Sequence, residues 1–131
     1  MSVLPRPAVS VIPLRDGERG PEVFVQHRQQ TMDFAAGAVV FPGGRCDPAD
    51  VAKGADLALS SATVADHVHR WRHLPVAQDR QADARTLLAT GLRELAEETG
   101  LVADPELLLP WDRWVTPEGS PKRFDVSFFV L

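Results

Sequence analysis

Cysteine occurs once in this 131-residue sequence, at Cys46, so no intramolecular disulfide can form. A chain of this kind is expected in a reducing, cytoplasmic setting. Long apolar runs are also missing, and none approaches the roughly 20 residues that a bilayer-spanning helix needs. The opening stretch, MSVLPRPAVSVIPL, lacks a basic start and is broken by Pro5, Pro7 and Pro13, so it does not read as a signal peptide. Basic charge is in short supply: 18 Asp and Glu outnumber 14 Lys and Arg, for a formal charge of −4. Affinity for nucleic acid or an anionic membrane rests on clustered Lys and Arg, so neither is an expected partner. A small phosphorylated substrate stays open, because it needs only a local positive site or a metal. There is no internal repeat and no low-complexity tract.

What remains is ordinary for a globular domain, with 44% hydrophobic and 24% charged residues. A chain of this length suits one domain, residues 1–131, with a real core. Val9, Val11, Ile12 and Leu14 predict a strand, and Val23 to Val25 a second. The turn residues between them, Asp16-Gly17 and Gly20-Pro21, suggest that the two form a hairpin. Ala38 to Phe41 is a third short apolar run, stopped by Pro42-Gly43-Gly44. From about Asp47 to Gln81, Val64, Val68 and Trp71 recur at helical spacing within a segment rich in Ala, Asp, Arg and His. One or two small helices are expected there.

A clearer helix is predicted from Ala82 to Thr99, with Ala84, Leu88, Leu92 and Leu95 as its apolar stripe. Asp83 favours its N-terminal end, Gly100 is the expected left-handed stop, and Leu101 is expected to pack back on it. The last strand alternates Phe124, Val126, Phe128 and Val130 with Arg123, Asp125 and Ser127. Strands flanking a central helix without a βαβ rhythm read as α+β.

Near the end of the predicted helix, Glu94, Glu97 and Glu98 fall at i, i+3 and i+4, so their carboxylates share a face. That is locally unfavourable. Like charges at this spacing repel by about 0.2–0.5 kcal/mol, and acidic residues oppose the macrodipole at a helix C-terminus. A solvated face with Arg93 reaching Glu97 is one explanation. A hard divalent cation is the other, since it prefers carboxylate oxygens and reverses the repulsion.

Arg93-Glu94-Leu95-Ala96-Glu97-Glu98-Thr99-Gly100-Leu101 resembles, position for position, the second half of the Nudix box, R-E-U-x-E-E-x-G-U with U aliphatic. Phe41-Pro42-Gly43-Gly44 is similar to the strand-to-loop start of the same box. The chain departs from the family between these halves. Asp50 stands where the box has Glu, and the spacing from Asp50 to Arg93 is far too long. The resemblance therefore implies a box split by an inserted segment at about 51–81, with Asp50 and Arg93 still meeting as an ion pair.

The same resemblance implies a Nudix-type α/β/α sandwich around a mixed sheet, and a diphosphatase that uses Mg²⁺ or Mn²⁺. Glu94, Glu97 and Glu98 would bind the metal, with Gly44 as a further ligand through its carbonyl. Among the catalytic candidates, Arg93 belongs to the box, Glu94 is the first choice of general base, and Glu118 on the Thr116 to Gly119 loop is a rival. Arg28, Trp114 and Arg123 are candidate substrate contacts, with Trp111 and Lys122 beside them; Trp111 and Trp114 read equally as core. Gly91, inside the helix, reads as a place of close packing. His67, His69 and His73 suggest zinc only weakly for want of a fourth ligand, and a polar helix face is the better reading.

Among Nudix enzymes, the split box and the tail from Trp114 to Val126 are most similar to the coenzyme A and acyl-coenzyme A diphosphatases. ADP-ribose or nucleotide-sugar hydrolysis is the alternative, as is a nucleotide-binding module without catalysis. The sequence ends in the apolar run Ser127 to Leu131. That run suggests an unpaired strand edge, to be completed by further C-terminal sequence or by a second copy in a homodimer.

Overall fold

The computed structural model describes residues 3–27 and 38–131. Strand β1 (Arg6–Ile12) buries Val9 and Val11 at alternate positions, as a half-buried strand should. A separate hairpin follows, β2 (Leu14–Gly17) against β3 (Gly20–Val23). The predicted turn is therefore present, but its first strand starts later than expected, at Leu14, and its second starts earlier, at Gly20. β1 takes no part in that hairpin. Two-residue strands β4 (Gln26–His27) and β5 (Val39–Val40) pair next, then Gly43–Arg45 forms β6.

Helices α1 (Pro48–Asp56) and α2 (Ser61–Arg70) occupy the segment where small helices were expected. The long helix α3 runs Arg80–Thr99 and ends at Gly100, whose φ of 78° is the predicted left-handed stop. Its N-cap is Asp79, whose side chain accepts the Ala82 N–H. Asp83 instead accepts the N–H groups of Ala77 and Gln78, tying down the approach to the helix. Leu101 does not pack back: it is 48% exposed, and its N–H is held by the Thr99 hydroxyl.

Strands β7 (Leu109–Val115) and β8 (Phe124–Val130) complete a mixed four-stranded sheet of order β6-β1-β8-β7. β1 and β8 are parallel, and the other pairs are antiparallel. The final apolar run is thus a central strand, paired on both sides, and not an open edge. The alternation noted in the sequence does not mark its core-facing side. Register pairs Val9 with Ser127 and Val11 with Phe129, so Ser127 and Phe129 face the core while Phe124, Val126, Phe128 and Val130 are half-buried.

α3 lies across the Val9 and Val11 face. A Cβ at Gly91 would sit 3.2 Å from Leu108 Cδ2 and 3.3 Å from Val9 Cγ1, so the glycine allows helix and sheet to approach closely. One core gathers Val9, Val11, Leu88, Leu95, Leu108 and Phe129, and Trp71 from just beyond α2 belongs to it. Trp71 meets the Phe129 ring edge-on at 5.5 Å. His67, expected on a polar helix face, is only 3% exposed and packs 6.0 Å from Phe129. α2 is therefore anchored to the core through His67 and Trp71.

Candidate metal centre

The site forms where the C-terminal half of α3 passes β6 and the start of α1. Asp50, in the first turn of α1, is fully buried. Its carboxylate accepts the Asp47 N–H at 2.9 Å, the Thr90 hydroxyl at 2.8 Å, and both edges of the Arg93 guanidinium. Burial works to raise the Asp50 carboxyl, but these hydrogen bonds and the Arg93 charge outweigh it and hold it below the usual carboxylate value. The anticipated ion pair across the long spacing is thus present.

Arg93 is the hub of the site. Besides Asp50, its Nη2 donates to the Arg45 carbonyl, and its Nη1 donates to Glu94 Oε1 at 2.9 Å and Glu97 Oε2 at 3.2 Å. The solvated-face explanation foresaw the Arg93–Glu97 contact. Asp50 and the neighbouring carboxylates raise the Arg93 pKa, so it is permanently cationic.

Glu94 is nearly buried, with 12% of its side chain exposed. Burial raises its carboxyl above the ordinary range and Arg93 opposes the shift, while Glu98 and Glu97 add to it. Gly44 is in contact with it: a Cβ there would lie 2.3 Å from Glu94 Oε1. Glu98 turns toward the same loop, where its Oε2 accepts the Gly43 N–H at 3.2 Å and the Gln26 side-chain amide. Gly43 and Gly44 therefore lie against Glu98 and Glu94, as a split box requires.

The donors in this locality are oxygens from carboxylates and backbone, the hard set that suits Mg²⁺ or Mn²⁺. Among the described residues, no group of three or more His, Cys, Asp or Glu converges on a single ion position. Arg93 draws Glu94 and Glu97 toward itself, while Gln26 and Gly43 hold Glu98. The donor chemistry fits such an ion, while these hydrogen bonds turn the three carboxylates to separate partners.

The other candidates lie elsewhere. Glu118 is exposed on the turn between β7 and β8, with β1 intervening between β8 and β6. Arg123 donates to the backbone carbonyls of Thr116 and Val3, which occupies its guanidinium structurally. Trp114 and Trp111 are each 67% exposed, so neither is core. Trp114 rests edge-on against Phe128 and donates its indole N–H to Asp112. Lys122 is exposed, and Arg28 lies outside the described residues. Sequence reasoning missed Thr90 and Gln26. A threonine three positions before Arg93, on the same helix face, is a faint signal for the first, and nothing in the sequence points to the second.

Comparison with solved structures settles the architecture. A Nudix hydrolase from Alicyclobacillus acidocaldarius matches with a TM-score of 0.69 and 29% identity, over 97% of this chain and 69% of that one. The fold is that of the Nudix hydrolases. A Caenorhabditis elegans Ap4A hydrolase shares the Nudix fold at TM-score 0.53 and 12% identity, over 97% of this chain and 67% of its own. No protein-family model matches the chain, and no curated protein matches it by sequence. These Nudix neighbours are hydrolases, consistent with a diphosphatase enzyme. Among the described residues, no helix is long and apolar enough to cross a membrane.

Proposed function

We propose that this chain is a Nudix diphosphatase that hydrolyses a phosphoanhydride bond in a nucleoside diphosphate derivative, with coenzyme A or an acyl-coenzyme A as the preferred substrate. The observation that carries the reading is the Asp50–Arg93 pair, which joins two distant halves of the box and sets Glu94 and Glu98 beside Gly43 and Gly44. Glu94, Glu97 and Glu98, with help from the Gly44 carbonyl, would hold a Mg²⁺ or Mn²⁺ ion, which when bound would supply Lewis-acid polarisation and offset phosphate charge. The chain's own residues do the rest. Arg93, anchored through Asp50, fixes the rotamers of Glu94 and Glu97. Glu94, nearly buried and with its carboxyl raised, takes the proton of the attacking water through Oε2, since Oε1 already accepts from Arg93.

The coenzyme A preference rests on the box split around 51–81 and on the Trp114 to Val126 tail. ADP-ribose and nucleotide sugars are the second choice. A Mg²⁺-dependent product screen over coenzyme A, ADP-ribose, dinucleoside polyphosphates and nucleoside triphosphates is the test. Release of a 3′,5′-ADP product from coenzyme A is expected. AMP from ADP-ribose with coenzyme A untouched would shift the assignment to the second choice. Tight binding without turnover of any of them would make the chain a nucleotide-binding module.

A further inference from the structure

Gln26 reaches the site from β4, 72 positions from Glu98 in sequence. Its Nε2 donates to Glu98 Oε2, the same oxygen that accepts the Gly43 N–H at 3.2 Å. Two donors on one oxygen fix both the position and the rotation of a carboxylate, and neither bond uses Oε1. Some such restraint is needed here. Glu94 and Glu98 are like charges one helical turn apart, and Arg93 donates to Glu94 and Glu97. Left to itself, Glu98 would swing away from Glu94 into solvent. A neutral amide holds it without bringing in a positive charge that would compete with a cation, as a lysine or arginine at position 26 would.

We propose that Gln26 is a positioning residue that holds Glu98 so that its Oε1 alone is presented to a divalent cation. This rests on reading the site as a metal centre. Partners that orient a ligating carboxylate affect metal affinity nearly as strongly as ligands do, by about 10- to 100-fold.

The test is Mn²⁺ binding, followed by titration calorimetry on the whole chain without substrate. It compares the unmodified protein, Gln26→Met, Gln26→Ala, Glu98→Gln and the Gln26→Met/Glu98→Gln double variant. Methionine keeps the length of the side chain and removes the donor, and thermal melting without metal confirms that each variant folds. Gln26→Met and Gln26→Ala are each expected to weaken Mn²⁺ binding by about tenfold. In the Glu98→Gln background, Gln26→Met should add no further loss, because its effect passes through Glu98. Unchanged Mn²⁺ affinity in folded Gln26→Met and Gln26→Ala would overturn the proposal, as would a full additional loss in the double variant. No Mn²⁺ binding by the unmodified protein would instead overturn the metal-centre reading, and this inference with it.

Discussion

The Arg93 guanidinium grips Asp50 with two edges, Nε to Oδ1 at 2.9 Å and Nη2 to Oδ2 at 3.1 Å, across 43 positions of sequence. Asp50 is fully buried and Arg93 has 13% of its side chain exposed, so the pair is shielded from the screening that makes surface ion pairs weak. Removing one partner leaves the other charged and uncompensated, which costs about 3–5 kcal/mol in buried pairs.

Asp50→Asn should therefore destabilise the protein at neutral pH by about 3 kcal/mol. The folded Asp50 carboxyl is lowered below its usual 3.8, so its contribution is complete above that value and is lost as pH falls through the folded value. The difference between the two proteins should narrow below about pH 4, which urea denaturation at stepped pH would reveal. A constant difference down to pH 2 would show that the ionised carboxylate is not the stabilising species.

Glu97→Gln and Glu98→Gln should each remove most turnover at saturating Mg²⁺ while leaving the fold intact. Glu97 is 58% exposed, so its pair with Arg93 stabilises by less than about 1 kcal/mol. Steady-state rates alongside melting curves are the check, and near-normal rates in either variant would remove the metal site from the account.

Gly44→Ala tests the contact between β6 and Glu94. The new methyl would collide with the Glu94 carboxylate, which can move aside without unfolding the helix. The expected result is a loss of activity of about tenfold or more from misplacement of a catalytic group, with little change in melting temperature. Normal activity would mean that the position of Glu94 is not critical.

The architecture could be read in the sequence wherever one strong local rule acted alone. The helical stripe of Ala84, Leu88 and Leu95 and the stop at Gly100 are such cases. The site was legible through the motif around Glu94 to Gly100, since covalent spacing within a helix fixes which carboxylates are neighbours. Sheet pairing was not legible, because it depends on distant partners. Nothing around Val11 says that its neighbour is Phe129, so local sequence points β1 to a hairpin and leaves the core-facing side of β8 open. Gln26 escaped for the same reason, its role existing only once β4 is placed beside α3.

His67 gives the structure an acid-sensitive point. Burial lowers its pKa from 6.5, with Arg70 acting in the same direction and Asp66, Glu106 and the Leu108 backbone opposing. Stability is then complete above about pH 6.5 and declines as pH falls toward the folded value, because the unfolded chain binds the proton first. His67→Leu should flatten that decline between pH 6.5 and 5 in thermal melts. An unchanged slope would assign the acid sensitivity to other groups.

The parallel pairing of β1 with β8 also sets the order in which the molecule can be finished on a ribosome. Arg123 binds the Val3 carbonyl, 120 residues earlier, at the point where these two strands come together. At about 5–20 residues per second, β1 waits roughly 6–24 s for its parallel partner to be synthesised. During that interval β6 can already pair with one side of β1, while Val9 and Val11 lack the Ser127 and Phe129 strand that flanks them in the finished sheet. The nascent chain therefore carries an exposed strand edge for seconds, and its yield in a cell depends on how well that edge is shielded until β8 has been synthesised.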